Sequence, residues 1–310
     1  MQKFLINIAS GILFFCIVSY PLDIWLSHKI LDYKHFAVGE SHIWSEIIDG
    51  NMNKDVLIYG SSRAMTNFNT KIISDSLGLD TYSLGIDGHN FWLQYLRHRK
   101  VLDNNIKPKY IVLSVGPFAI GKRSDLYNSF QFLPFSRDLE MNTYLRGYNG
   151  YNFYVHNLPL LRFCGKKDTL IRNIKYNIRH TRYKGFLTRN QKWNNDLYKA
   201  KSKFESIKSK IHYPSLKLLH QFIQECKSSN IELIFVYSPE EIKGRDYVSN
   251  RSDIINLFRD ITNEYNLPFL DYSDGLISTN RENFYNTLHL NKTGAERFSL
   301  QLVEDLKKIL

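Results

Sequence analysis

The apolar run Val56-Leu57-Ile58-Tyr59 ends abruptly at Gly60-Ser61-Ser62, followed by Arg63. A serine in a turn that closes a strand and opens a helix gains exposure at the sheet edge. It also gains backbone N–H groups, at a helix start, that can hold a developing oxyanion. Far along the chain, Phe284-Tyr285-Asn286-Thr287-Leu288-His289-Leu290-Asn291 precedes a segment of helical periodicity. His289 is therefore expected in a loop between the last strand and the last helix, at the same sheet edge as the serines, where a general base belongs. Serine and histidine so placed could transfer an acyl group through a covalent intermediate. A turn kept small for steric reasons, or a phosphate cradle, would use the same geometry, so the serines alone decide nothing. Arg63 is a candidate for holding an anionic substrate group, with a surface salt bridge as the bland alternative. His89 borders the expected pocket as a candidate substrate contact, with a surface turn histidine as its alternative.

The surrounding pattern predicts the elements that would position these groups. Apolar runs at Val56–Tyr59, Thr81–Leu84, Lys109–Val115, Glu232–Tyr237 and Pro268–Leu270 read as strands. Helical spacing falls at 72–77, stopped by Gly78, then at 90–102, 215–228, 253–265 and 292–308. Strands alternating with helices predict a three-layer α/β/α sandwich with a parallel five-stranded sheet of flavodoxin-like type, whose chemistry gathers at the carboxyl ends of the strands. The regularity breaks between about 117 and 212, a stretch rich in Tyr, Asn, Phe and basic residues, which reads as an insertion. Expected domains are an N-terminal membrane anchor, 1–30, and an α/β domain, 31–310, interrupted by that insertion.

Three short motifs, in order and on the expected elements, resemble the SGNH or GDSL-type hydrolases. Gly60-Ser61-Ser62 resembles the family's Gly-Asp-Ser block, which makes Ser62 the nucleophile and Ser61 the small-residue filler. Gly85-Ile86-Asp87-Gly88 is similar to the Gly-x-x-Gly turn, which implies that Gly88 N–H joins Ser62 N–H in the oxyanion hole. Asn286-Thr287-Leu288-His289 is similar to the Asp-x-x-His block, with Gly294 following in the last helix. The resemblance covers about 54–116 and 215–310 and implies a serine esterase or acyltransferase fold and site. Two departures stand out. Gly116-Pro117-Phe118-Ala119 occupies the Gly-x-Asn-Asp block, so Phe118 replaces the side-chain oxyanion donor, a loss that typically costs about 10²–10³ in rate. Asn286 replaces the acid that backs the histidine; Asp271, Asp274 or Glu282 could substitute. The membrane-anchored, extracytoplasmic branch, with proteins similar to the D-alanyl transfer protein of teichoic acids and to alginate O-acetyltransferases, implies acyl chemistry on cell-surface polysaccharide and a membrane acyl-donor protein as partner. A catalytically weak, membrane-tethered binding or assembly component is the alternative.

At the N-terminus, an uncharged apolar run from Phe4 to about Tyr20 follows Lys3, and Val18-Ser19-Tyr20-Pro21 offers no small-residue cleavage site. An uncleaved, single-pass signal anchor is expected, with Tyr20 and Trp25 at the interface and the α/β domain outside the cytoplasm. The alternative is a buried N-terminal core helix. The net charge of +11 is local: residues 162–210 hold 15 Lys and Arg against three acids, leaving 26 against 27 elsewhere. Tyr176, Tyr183, Phe186, Trp193 and Tyr198 interleave that insert, which suits an acidic glycan or anionic lipid better than nucleic acid in an anchored chain, while an ordinary solvated face remains open. Cys164 and Cys226 are expected to be plain buried residues. The histidines lack paired ligand spacing and no phosphate or dinucleotide loop is present, so neither metal nor cofactor is expected.

Overall fold

The computed structural model of the protein describes residues 1–32, 39–168, 170–171, 182–194 and 206–310. It divides into two compact units, one of Met1–Asp49 with Ser124–Thr181 and the other of Gly50–Arg123 with Arg182–Leu310.

The second unit carries a five-stranded parallel sheet in the order β2-β1-β3-β4-β5, with β1 Val56–Tyr59, β2 Thr81–Ser83, β3 Tyr110–Val115, β4 Glu232–Tyr237 and β5 Phe269–Asp271. This is the doubly wound order, and its register is continuous from Val56 opposite Tyr110 to Tyr110 opposite Glu232. β1, β3 and β4 are nearly all buried because a parallel sheet covered on both faces has no wet side. One face sends Val56, Ile58, Val112, Ile234 and Val236 into a core with Phe68, Ile73, Phe298 and Leu302. Those partners come from the segment following α3 (Ser62–Asn67), from α4 (Thr70–Leu77) and from the C-terminal helix Lys292–Leu306. The alternate residue Tyr59 faces the other way, against His98 of α5 (Phe91–Asn104) and Phe222 of the helix Tyr213–Ser228. Phe235 meets Phe258 of the helix Arg251–Tyr265. Helices therefore cover both faces, and the three layers follow from period-two alternation along each strand.

Two features of this unit depart from the sequence pattern. Residues 182–194 pack onto the sheet unit: Lys184 O accepts from Ser83 N at 2.9 Å, and Leu187 N donates to Met65 O at 2.8 Å. Phe186, expected as part of a ligand-facing basic surface, is buried in the core. His289 lies not in a loop but at the start of β7 (His289–Leu290), antiparallel to β6 (Phe284–Asn286). Of the basic insert, Tyr176, Tyr198 and six of its Lys and Arg lie outside the described residues.

The first unit joins the N-terminal helix to the middle of the insertion. Helix α1 (Gln2–Leu31) is long and apolar enough to cross a membrane, and its side chains from Phe4 to Val18 are largely exposed. Toward its C-terminal end polarity returns in a specific place: Arg162 donates to Asp23 Oδ2 at 2.6 Å and to Ser27 Oγ at 2.9 Å, and Leu160 N donates to Asp23 Oδ1 at 2.8 Å. Trp44 of α2 (Glu40–Ile48) is buried beside Phe132 and Phe135, with its indole N–H on Gln131 Oε1 at 3.0 Å. All three cysteines are free; Cys226 is buried as expected, but Cys164 is exposed.

Candidate active site

β1 ends at Gly60, whose φ of +152° and crowding leave no room for a side chain: a Cβ there would lie 2.7 Å from Ala64 Cβ and 2.9 Å from Ser114 Cβ. The chain turns there into α3, with Ser61 as its N-cap in an extended conformation and Ser62 as its first residue. Ser62 Oγ lies 2.7 Å from His289 Nε2, across 227 residues of sequence. The strand end and the β6–β7 hairpin thus meet at the carboxyl edge of the sheet.

The hairpin is clamped to the helix that carries Ser62. Asn67, fully buried at the end of α3, accepts from Leu290 N at 3.0 Å through Oδ1, and its amide donates to Ser238 Oγ at 2.9 Å. Nucleophile and base are therefore referenced to one rigid element, which is what holds such a pair in reacting geometry. Asn67 carried no signal in the sequence, since its partners come from the turn after β4 and from the hairpin.

Asn286 Oδ1 accepts from His289 Nδ1 at 2.8 Å, and also from the backbone N–H groups of Leu288 at 3.1 Å and His289 at 3.0 Å. Two backbone donors fix that atom as the amide oxygen, so Nδ1 carries the proton and Nε2 presents its lone pair to the Ser62 hydroxyl. Burial, then the nearby charges of Arg63 and Arg189, push the His289 imidazole down to about 3. The ring is neutral and ready to accept a proton at any physiological pH, but its cation is poorly stabilised because an amide, not a carboxylate, lies behind it. Asp271 accepts from Ser273 N at 3.0 Å and Asp274 pairs with Arg245, while Glu282 is exposed. Nδ1 is taken by Asn286 instead, so these acids do not replace the expected one.

Tyr285 stacks on His289, with centroids 5.3 Å apart and ring planes 19° apart, and the Arg189 guanidinium sits 5.4 Å from the Tyr285 ring. Sequence reasoning missed both residues. Arg189 comes from the insertion, held by Lys292 N on its carbonyl at 2.8 Å.

A cleft of about 390 Å³ opens over this pair, lined by Ser62, Gly88, His89, Phe118 and His289 among others. Gly88 therefore borders the cleft with Ser62, the two residues expected to donate backbone N–H groups. His89 is buried rather than a surface turn residue, and its carbonyl accepts from Gln94 at 3.1 Å. Phe118 lines the wall, its carbonyl held by the Asn90 amide. Arg63, expected to hold an anionic group or to form a surface salt bridge, is buried beside the pair: the side chain is 6% exposed, its Nε and Nη2 are bound to Ser238, and Nη1 lies 3.6 Å from the Glu240 carboxylate. No group of three or more His, Cys, Asp or Glu side chains able to hold a metal occurs among the described residues.

The arrangement can move a proton from Ser62 to His289 and present the resulting alkoxide to an electrophile in the cleft. No protein-family profile matches this chain, and no curated protein does. Solved structures align with it at low identity. An acetyl xylan esterase is 13% identical, over 81% of this chain and 98% of its own, with a TM-score of 0.42. A GDSL-like lipase from Bacteroides thetaiotaomicron is 12% identical, over 81% of this chain and 88% of its own, with a TM-score of 0.37.

Proposed function

We propose that this chain is an SGNH-type serine esterase or O-acyltransferase, membrane-anchored, acting on cell-surface polysaccharide outside the cytoplasm. The observation that carries the catalytic part is the array Ser62 Oγ, His289 Nε2 and Nδ1, Asn286 Oδ1, with links of 2.7 and 2.8 Å. Ser62 Oγ attacks an ester carbonyl as its proton passes to Nε2. The Ser62 and Gly88 N–H groups hold the oxyanion. Collapse expels the alkoxide, which takes the proton back from Nε2 and leaves acyl-Ser62. Water as the second acceptor makes an esterase; a sugar hydroxyl makes a transferase. The exposed apolar face of α1 supports the anchor, and the basic insert at 162–210 is suited to an acidic glycan or anionic lipid. A membrane acyl-donor protein fits the transferase form.

Full-length protein in detergent, given 4-nitrophenyl acetate, should release nitrophenolate and form an acetyl-Ser62 adduct visible by mass spectrometry. Ser62→Ala should abolish the adduct, and His289→Ala should slow its formation. A second reading, a weak or inactive site serving as a tethered binding component, is favoured by Asn286 behind the imidazole. It would be upheld if wild type and both variants were equally inert toward the ester and toward a fluorophosphonate.

A further inference from the structure

Two backbone donors alone make a thin oxyanion hole, and the asparagine that would add a side-chain donor is absent from Gly116-Pro117-Phe118-Ala119. The space over that turn is nevertheless occupied. A Cβ built on Gly116 would come 2.8 Å from Arg63 Nη1 and 3.5 Å from its Cζ, so the glycine admits the guanidinium edge-on. Arg63 follows Ser62 directly, yet its side chain is buried and lines the cleft together with Ser62, Gly88, Gly116 and His289.

The guanidinium is held on one side only. Nε and Nη2 donate to Ser238 Oγ at 3.1 and 2.9 Å, Nη2 also reaches the Ser238 carbonyl, and Cζ sits 4.8 Å from the Tyr237 ring centroid. Nη1 is buried and makes no hydrogen bond among the described residues; Glu240, at 3.6 Å, is an ion-pair neighbour outside hydrogen-bond reach. That carboxylate is already engaged by Arg251 and by the Tyr237 hydroxyl at 3.2 Å. Asp271, the next acid toward Arg251, is also shared with Arg259 at 3.5 Å. Two guanidinium groups thus face one buried carboxylate, which Arg251 holds closer than Arg63 does. A buried, unmatched donor of this kind is costly in the resting protein, and a developing oxyanion is the group that would complete it.

We propose that Arg63 Nη1 is the third oxyanion donor of this site, standing where a side-chain amide would otherwise act. The inference rests on the acyl-transfer reading above. As the Ser62 Oγ–carbon bond forms and the carbonyl π pair moves onto oxygen, Nη1–H receives that charge while the Ser62 proton resides on His289. On collapse the pair returns to the carbonyl, and His289 gives its proton to the leaving alkoxide. A charged donor makes a shorter, stronger hydrogen bond than an amide, and a guanidinium fixed at two of its nitrogens needs no reorganisation to do so. It compensates in part for the amide behind His289. It also explains why Gly116 precedes a turn with no polar side chain.

The test uses the full-length protein in detergent, with 4-nitrophenyl acetate as the probe. Arg63→Lys keeps a cation for Glu240 but withdraws the planar Nη1 donor; kcat should fall by about 10²–10³ with KM unchanged. Arg63→Gln should lose at least as much, and adding Phe118→Asn to it should restore part of kcat. Because a buried arginine can also support the fold, Gly116→Ala is the second arm: it keeps Arg63 and its bonds to Ser238 but presses on Nη1, and should lower kcat by more than its shift in melting temperature accounts for. Wild-type kcat in Arg63→Lys or Gly116→Ala, or a loss confined to KM, overturns the assignment while acyl transfer by Ser62 stands. A wild-type chain that neither turns over nor labels at Ser62 overturns both.

Discussion

Replacing Asn286 by aspartate should turn a slow site into a faster one, and the geometry sets the size of the gain. The two side chains are isosteric. The oxygen that faces His289 Nδ1 at 2.8 Å already accepts from the backbone N–H groups of Leu288 and His289, so a carboxylate there enters a prepared set of donors and stays ionised. When His289 takes the Ser62 proton, the new charge pair, with centres about 4 Å apart, is attractive by about 4 kcal/mol at an effective dielectric of 20. Desolvation of the carboxylate removes part of that, leaving an expected gain of about 10²–10³ in kcat, within the 10⁴ or so that the reverse change costs in serine-protease triads. The same charge should move the acid limb of kcat/KM. The limb is set in the wild type by an imidazole near 3, and in Asn286→Asp it should rise toward the ordinary histidine value. Initial rates of 4-nitrophenyl acetate hydrolysis across the acid range measure both effects in one series. An Asn286→Asp chain that is folded by its melting curve, yet shows neither a faster kcat nor a shifted acid limb, would refute the claim that the amide behind His289 limits the reaction.

Other consequences follow from burial and close packing. Burial holds the imidazoles of His98 and His289 down to about 3, so between 6.5 and that value the unfolded chain binds protons that the folded one does not. Stability should therefore fall as pH drops below about 6.5, by up to about 1.4 kcal/mol per pH unit for each group; a melting temperature flat across that window would contradict it. Asp23→Ala leaves Arg162 buried without its partner and should destabilise the first unit by about 3–5 kcal/mol, read as faster proteolysis within 124–168; unchanged digestion would count against the pairing. Gly60→Ala forces a Cβ to within 2.7 Å of Ala64 Cβ and should cost about 1–3 kcal/mol. It should cost proportionately more activity, because Ser62 moves with the turn; a variant with full kcat would show that the turn tolerates the shift.

Much of the scaffold was legible because it is written in local signals. Short apolar runs bounded by turns marked all five strands, and the helix stops at Gly78 and near Tyr265 fall within a residue or two of the observed ends. The Gly60-Ser61-Ser62 turn and the Asn286-to-His289 block each announce themselves over four residues or fewer, so the nucleophile and base candidates needed no structure. What was not legible depends on partners that the sequence holds far apart. Asn67 is an ordinary polar residue until the hairpin arrives 223 residues later to be clamped by it. Tyr285 stacks on His289 only once β6 pairs with β7, and Arg189 reaches the Tyr285 ring only because its segment is bound to the start of the last helix.

Arg63 shows the division most sharply. Composition and spacing fix an arginine beside a nucleophile, and in an extended reading that side chain belongs to solvent. Its inward course is decided by Ser238 and Glu240 on the strand β4 side and by the bare Cα of Gly116, three positions brought together only when β1, β3 and β4 are laid side by side. Asp23 repeats the lesson in the first unit, where a charge near the end of an apolar helix finds Arg162 across 139 residues. The sequence by itself determined the α/β architecture, the apolar N-terminal helix and the chemical types at the site, since these depend on periodicity and on short-range backbone constraint. Which buried charges face each other, and therefore what each can do, was decided by tertiary structure, because electrostatic and hydrogen-bond partners are set by distance in space and not along the chain.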